Sequence, residues 1–267
     1  MKRIICILLI LNFFSFNKYT VYANNKDITP NAHFSIAYDS KTGEILYEKN
    51  AFRCVPMAST TKILTALVAI NYGNLDDQVT ISKSASSIRG STVGYKAGEK
   101  ITLKELLFGL MYKSGNDAAI AIAEHLGGNV ENFSIMMTDF ARIIGLVDSN
   151  FQSPHGLDSQ MHYSTAYDLA LLMSKAMNNE FFREISGTKE IKKDKYGFTR
   201  DYNNINKILW RINNANGGKT GYTGQAGKCL VTSINHNERN LIIVVLNCPN
   251  RWEATEKVYE YVKDRCK

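Results

Sequence analysis

Ser59-Thr-Thr-Lys-Ile-Leu-Thr-Ala-Leu-Val-Ala-Ile-Asn-Tyr-Gly73 is the stretch on which the reading of this chain turns, because the hydrophobic period changes there. Ile63, Leu64, Leu67, Val68 and Ile70 recur at helical spacing, and no Gly or Pro interrupts them before Gly73. Upstream, residues 33 to 49 alternate around Ser40-Lys-Thr-Gly43, with Phe34, Ile36 and Tyr38 before the turn and Ile45 and Tyr47 after it, which predicts a β-hairpin. Downstream, helices are expected at about 103 to 112, 117 to 127, 130 to 145 and 164 to 177, each bounded by Gly, Asn, Ser or Pro. Strand periodicity returns after Gly217-Gly218: about 219 to 223, 228 to 234 and Leu241 to Leu246 read as strands, with Asn235 to Asn240 as a polar turn. A last helix, about 252 to 264, carries Ala254, Val258, Tyr261 and Val262 on one face, a stripe suited to packing on a sheet. Strands, then helices, then strands predict an α+β fold in three α/β/α layers. An antiparallel sheet is covered by helices, and an all-helical lobe over about residues 74–185 is inserted into it.

The ends and the composition bound the setting. Met-Lys-Arg is followed by an apolar run from Ile4 to Phe14 and the small-residue pattern Val21-Tyr-Ala23. Residues 1–23 therefore read as a secretory signal peptide, since the run is well short of the roughly 20 residues of a spanning helix. Residues 24–267 would be the mature part. Lys2, Arg3 and Lys18 are the only charged residues in that leader, so its removal lowers the formal net charge from +7 to +4. Mild basicity without a dense Lys/Arg block suits an anionic wall or membrane surface and argues against nucleic-acid binding. At 45% hydrophobic residues the chain can bury a full core without disulfides. Cys6 leaves with the leader; Cys54, Cys229, Cys248 and Cys266 remain without a CxxC pair, and their possible pairings stay open.

Chemistry enters through three short motifs: Ser59-Thr-Thr-Lys62, Ser114-Gly-Asn116 and Lys219-Thr-Gly221. Each is weak alone, since Ser-x-x-Lys recurs at Ser15 and Ser186 and Lys-Thr-Gly recurs at Lys41. Order and setting carry the signal: only Ser59 precedes a long apolar-periodic helix, and only Lys219 opens a strand near the C-terminal end. Together they can assemble a nucleophilic serine with no histidine, which points to acyl transfer. A serine hydroxyl needs a base, and Lys62 lies about one helical turn from Ser59. It serves only if its pKa falls well below about 10.4, through burial first, then the helix dipole and a second cation at Lys219.

Ser114 can pass a proton to the leaving group, and the Asn116 amide can hold both Lys62 and a substrate carbonyl. Lys219 and Thr220 can bind a carboxylate beside Gly221, where the glycine-rich strand lets a ligand approach closely. The backbone N–H groups of Ser59 and Tyr222 are candidate oxyanion donors. The competing structural readings are an N-cap at Ser59, a snorkelling Lys62, helix caps at Ser114 or Asn116, and a plain Gly-rich edge strand at 217 to 224.

In fuller wording, Pro56-Met-Ala-Ser-Thr-Thr-Lys62, Ser114-Gly-Asn-Asp-Ala118, Ser153-Pro-His-Gly-Leu-Asp158 with His162-Tyr-Ser-Thr-Ala-Tyr-Asp168, and Gly218-Lys-Thr-Gly-Tyr-Thr223 span nearly all of the mature chain. They resemble the low-molecular-weight D-alanyl-D-alanine carboxypeptidases of the penicillin-binding protein and serine β-lactamase superfamily. The resemblance implies a β-lactamase/transpeptidase-like fold and no metal or organic cofactor. It also implies peptidoglycan stem peptides ending in D-Ala-D-Ala as substrate and β-lactam antibiotics as inhibitors. By position, Ser59 would be the nucleophile, Lys62 the base, Ser114 a proton shuttle and Asn116 a substrate clamp. Lys219 with Thr220 would form the carboxylate site, Arg251 is a further candidate for that carboxylate, and His155 a pocket-rim residue.

Many members of that family continue into a C-terminal β-rich domain and an amphipathic anchor. This chain stops after its last predicted helix, so a secreted or wall-associated enzyme without that domain is expected, and membrane attachment stays open. A class A β-lactamase would need a deacylating glutamate between the second and third motifs, and no glutamate occurs between Glu131 and Glu180. A β-lactam-binding sensor or an idle wall-binding module is the alternative from another class. A histidine-based hydrolase lacks its Gly-x-Ser-x-Gly elbow here.

Overall fold

A computed structural model describes Ile28 and residues 30–265; the expected signal peptide and Cys266 lie outside them. In chain order the elements are β1 (Phe34–Asp39), β2 (Ile45–Lys49), α1 (Lys62–Tyr72), β3 (Gln78–Thr80), α2 (Lys83–Ser87), β4 (Lys100–Thr102), α3 (Leu103–Tyr112), α4 (Asn116–Gly127) and α5 (Val130–Ile143). They continue with α6 (Ala166–Ala176), α7 (Glu180–Gly187), β5 (Glu190–Ile191), β6 (Tyr202–Asn203), α8 (Ile208–Arg211), β7 (Ala215–Thr223), β8 (Gly227–His236), β9 (Arg239–Leu246) and α9 (Arg251–Val262). A 3₁₀ turn, Ala58–Thr61, leads directly into α1.

Five strands form one antiparallel sheet in the order β2-β1-β9-β8-β7. The central strand β9 reads Leu241-Ile-Ile-Val-Val-Leu246 because both of its faces are covered, which removes the usual alternation. Ile242, Val244 and Leu246 join the core beneath α1 and the other helices, while Leu241, Ile243 and Val245 join a second core with Val258 and Val262 of α9. Helices thus lie on both faces, and the fold is the expected α+β sandwich of three layers. The lobe expected to be all-helical over about 74–185, however, also carries the two-stranded sheet β3-β4, strands of three residues too short to show a period.

Helix α1 is buried along Lys62–Ala69, on its polar as well as its apolar positions, as befits a helix packed on all sides. It ends at Gly73, where a Cβ would stand 2.4 Å from Leu103 Cδ2. The turn expected over Asn235 to Asn240 is tighter than predicted. Strands β8 and β9 run on to His236 and from Arg239, and only Asn237 and Glu238 turn, with φ of 49° and 59°. Two successive positive φ values give a turn whose twist matches the flanking strands, so the ladder extends through residues whose polarity suggested a loop. Cys54, Cys229 and Cys248 are free thiols.

Position matters most for β7. It is one of the two edge strands, so one side pairs with β8 and the other pairs with no strand. The 3₁₀ turn packs against that strand at the head of α1. A loop over residues 150–164, tied back by bridges Asn150↔Tyr163 and Val55↔Ser164, closes over the same turn from the opposite side.

Candidate active site

Lys62 is fully buried at the first residue of α1, so the snorkelling alternative does not hold. Its Nζ has three partners: Ser59 Oγ at 3.0 Å, Asn116 Oδ1 at 2.8 Å and the His155 carbonyl at 2.7 Å. The Asn116 amide is oriented by its other end, whose Nδ2 donates to the Arg89 carbonyl at 2.7 Å. Two of the three Lys62 partners therefore only accept. A neutral amine gives its two N–H bonds to them and turns its lone pair toward the Ser59 hydroxyl.

Burial, and then the positive charge of Lys219, hold the Lys62 pKa well below the ordinary lysine value, with Asp117 opposing them. Taking an ammonium out of water is expensive, and carbonyl dipoles compensate only in part, so protonation is disfavoured relative to a lysine in water.

The His155 carbonyl comes from the loop, not from any side chain the motif reading weighed. Thr65, one turn along α1 from Lys62, donates to the preceding carbonyl, Pro154 O, at 2.7 Å. Two residues of one helix face thus grip two successive peptide groups of the loop. Ser59 Oγ also lies 3.4 Å from the His155 carbonyl, a longer contact than the one to Lys62. Burial pushes the His155 ring down to about 3, and it is neutral. His155 also lines a neighbouring cleft of about 660 Å³ between α5 and the loop, which contains none of the three motifs, while its carbonyl reaches Lys62.

A second group forms around Lys219, also fully buried. Its Nζ donates to Ser114 Oγ and to the Thr220 carbonyl, both at 2.9 Å. Burial and the Arg251 charge push it down to about 7. Lys219 and Thr220 are 1% and 6% exposed, so regular alternation does not separate them into a buried and an open residue. Gly221 shows why this strand is glycine-rich: a Cβ there would lie 3.0 Å from each of Ser59 N, Met57 O and Ala58 Cβ. The side chain of Tyr222 is 68% exposed.

Arg251 is partly engaged by backbone. Its Nη1 donates to the carbonyls of Gly221 at 2.7 Å and Cys229 at 3.2 Å, and its guanidinium lies 4.7 Å from the Trp252 ring centre. Through Nη1, Arg251 supports the β7 and β8 backbone, and its charge acts on Lys219.

Two residues of the site hold left-handed backbone without being glycine: Ala58 at φ 51° and Ser114 at φ 58°. Each conformation costs about 1–2 kcal/mol and persists only where the surroundings enforce it. Ser114 is enforced through its neighbours. Asn116 N donates to the Ser91 carbonyl at 2.8 Å, and the Asp117 carboxylate accepts from the N–H groups of Val93, Gly94 and Tyr95. Asp117 thereby pins the 89–95 loop to the head of α4, and no side chain caps that helix, contrary to the capping alternative for Ser114 and Asn116. Nothing in an alanine codon position announces a positive φ, and carbonyl groups have no sequence identity, so Ala58 and the His155 carbonyl escaped the motif reading. Gly156, in Pro154-His-Gly156, was the available signal that something there packs closely.

Comparison with known proteins bears on the whole chain. Residues 20–250 match the family model described as D-alanyl-D-alanine carboxypeptidase, peptidase family S11. D-alanyl-D-alanine carboxypeptidase DacF of Bacillus subtilis is 33% identical over 87% of this chain and 61% of its own length. DacC of Escherichia coli is 37% identical over 84% of the chain and 59% of its own. The chain therefore spans about 60% of the length of these curated relatives. Among solved structures, a D-alanyl-D-alanine carboxypeptidase of Mycobacterium tuberculosis superposes with a TM-score of 0.84 at 28% identity, covering 90% of this chain and 94% of that one. A mutant of the Streptomyces K15 DD-transpeptidase gives 0.82 at 32% identity, covering 88% and 98%.

Proposed function

The chain belongs to the D-alanyl-D-alanine carboxypeptidase family, and on that premise we propose that it removes the terminal D-alanine from peptidoglycan stem peptides through an acyl-enzyme on Ser59. One observation carries the reading: the buried Lys62 amine gives its N–H bonds to two pure acceptors and faces Ser59 Oγ at 3.0 Å. A depressed lysine pKa is the condition under which Ser-x-x-Lys works as nucleophile and base.

In the proposed sequence, Lys62 takes the Ser59 proton as Oγ attacks the carbonyl of the penultimate D-alanine. The N–H groups of Ser59 and Tyr222 receive the developing oxyanion; each such donor is worth about 3–4 kcal/mol in acyl-transfer sites. Ser114, hydrogen-bonded to Lys219, delivers its proton to the leaving amine and takes in turn the one held by Lys62, which returns to the neutral amine, while Lys219 with Thr220 holds the carboxylate of the departing D-alanine. Asn116 clamps the substrate carbonyl side while keeping Lys62 in place. Water then attacks the ester with Lys62 again as base, freeing the shortened peptide. β-Lactams would acylate the same Ser59. We place this work outside the cytoplasm, at the cell wall, after removal of residues 1–23.

The test is release of D-alanine from diacetyl-Lys-D-Ala-D-Ala by residues 24–267, beside Ser59→Ala. Release and stoichiometric labelling by penicillin, both lost in the variant, are the expected result. A chain that is neither labelled nor active, or a Ser59→Ala variant that retains release, would sink the reading.

A further inference from the structure

Ala58 precedes the nucleophile, and its carbonyl sits in a buried chain of bonds that the reaction scheme above does not use. Gln152 N donates to His162 Nδ1 at 2.9 Å, so the single proton of the neutral ring is on Nε2. His162 Nε2 lies 2.9 Å from Thr61 Oγ1, and Thr61 Oγ1 donates to the Ala58 carbonyl at 2.8 Å. Every donor and acceptor in that series has one consistent direction: Gln152 N–H to His162, His162 N–H to Thr61, Thr61 O–H to Ala58. Both side chains are buried, at 3% for His162 and 0% for Thr61. The ring is further held edge-on by Phe151, with centroids 5.9 Å apart and planes at 89°. Burial pushes His162 down to about 4, with Asp158 opposing, so it stays neutral near pH 7.

What that chain controls follows from the planarity of the peptide bond. All described peptide bonds are trans, so the Ala58 carbonyl and the Ser59 N–H point in opposite directions from one rigid plane. The carbonyl faces the loop, where Gly156 seats so closely that a Cβ would stand 2.1 Å from it. The Ser59 nitrogen faces the other way, 3.0 Å from the place of a Cβ on Gly221 of β7. Fixing one end of the plane fixes the other.

We propose that His162, acting through the Thr61 hydroxyl, is a positioning residue that aims the Ser59 N–H at the oxyanion and holds Ala58 in its left-handed conformation. The inference rests on the acyl-transfer function proposed above, but it assigns a role to two residues that the reaction scheme does not use. Its effect belongs in the transition state, because the ground-state carbonyl needs the donor less than the oxyanion does.

Thr61→Val keeps the volume and removes both hydroxyl bonds, while Thr61→Ser retains the hydroxyl; His162→Phe removes the donor from the other side. Removing an oxyanion donor outright costs about 10²–10³ in rate, and mis-aiming one costs less. Acylation by labelled penicillin and kcat for D-alanine release should therefore fall roughly 10- to 100-fold in Thr61→Val. KM should stay within about two-fold of wild type, and Thr61→Ser should recover to within about three-fold. His162→Phe should match Thr61→Val if it folds, and Thr61→Val decides the matter if it does not. Wild-type rates in Thr61→Val, a loss confined to KM, or a Thr61→Ser variant as slow as Thr61→Val would overturn the proposal while leaving the function standing. A wild-type chain that is never acylated would overturn both.

Discussion

The surroundings of Lys62 and Lys219 differ in a way that separates two uses of one residue type. Both ammonium groups are fully buried, and burial is the main cause of the lowered pKa of each. Lys62 meets two obligate acceptors and one hydroxyl, supplied by α4, the 150–164 loop and the 3₁₀ turn before α1. Lys219 meets one hydroxyl and the carbonyl of its own neighbour on an edge strand, with Arg251 behind it. The first surrounding saturates the neutral amine and leaves a lone pair aimed at a nucleophile. The second leaves donor capacity unused at the open side of β7, which suits an arriving anion. Burial lowers a lysine's pKa; the count of acceptors around it decides whether the result is a base or a binding group.

Lys62→Met is the severest way to break that comparison. Acylation of Ser59 by penicillin should drop by about 10³-fold or more, at the upper part of the range for a lost general base, while Lys219 keeps its partners. A variant acylated at near wild-type rate would show that Lys219 or solvent can serve as base and that the two surroundings are interchangeable. Lys219→Met should cost less, roughly 10²-fold in kcat/KM, and the loss should fall on peptides that carry a free C-terminal carboxylate. Equal losses for a carboxylate-free ester and for the peptide would place Lys219 in the proton path instead.

The smallest effect is on stability, and it sharpens the comparison through pH. A lysine whose folded pKa is depressed binds fewer protons folded than unfolded between that pKa and its ordinary value of about 10.4, so stability rises with pH across that window. For Lys219 the window opens near pH 7, where its folded pKa is about 7. Lys219→Met removes the buried cation and should raise Tm by a few degrees at pH 7, a gain that shrinks toward pH 10. Differential scanning calorimetry of the two proteins at both pH values checks this; a gain that does not change with pH would mean that packing, not charge, separates them.

Much of this architecture was open to a reader of the sequence. The period change at Ser59, the end of α1 at Gly73 and α3 over 103–112 follow from apolar spacing and punctuation, because one helix face or one strand face is enough to read them. The short elements α2, α7, α8 and β3 to β6 were not legible, since segments of two to eight residues carry too little periodicity to stand above their flanks. In the site, Ser59, Lys62, Ser114, Asn116, Lys219 and Thr220 were nameable because side-chain chemistry is written in residue type. For Arg251, its position after β9 says where the side chain starts but not that its Nη1 reaches the carbonyls of Gly221 and Cys229.

By itself, the sequence determined the layer order, the motif order and the kinds of groups available for acyl transfer. It could do so because hydrophobic period and functional-group chemistry are local properties of the chain. Only the tertiary structure decided that Lys62 is caged by Asn116 and the His155 carbonyl, 54 and 93 residues away, and that Ala58 sits at φ 51° under a loop closed by Gly156 and His162. Main-chain groups are identical at every residue, so which one faces a buried amine is settled by packing between distant segments and leaves no mark in the local code.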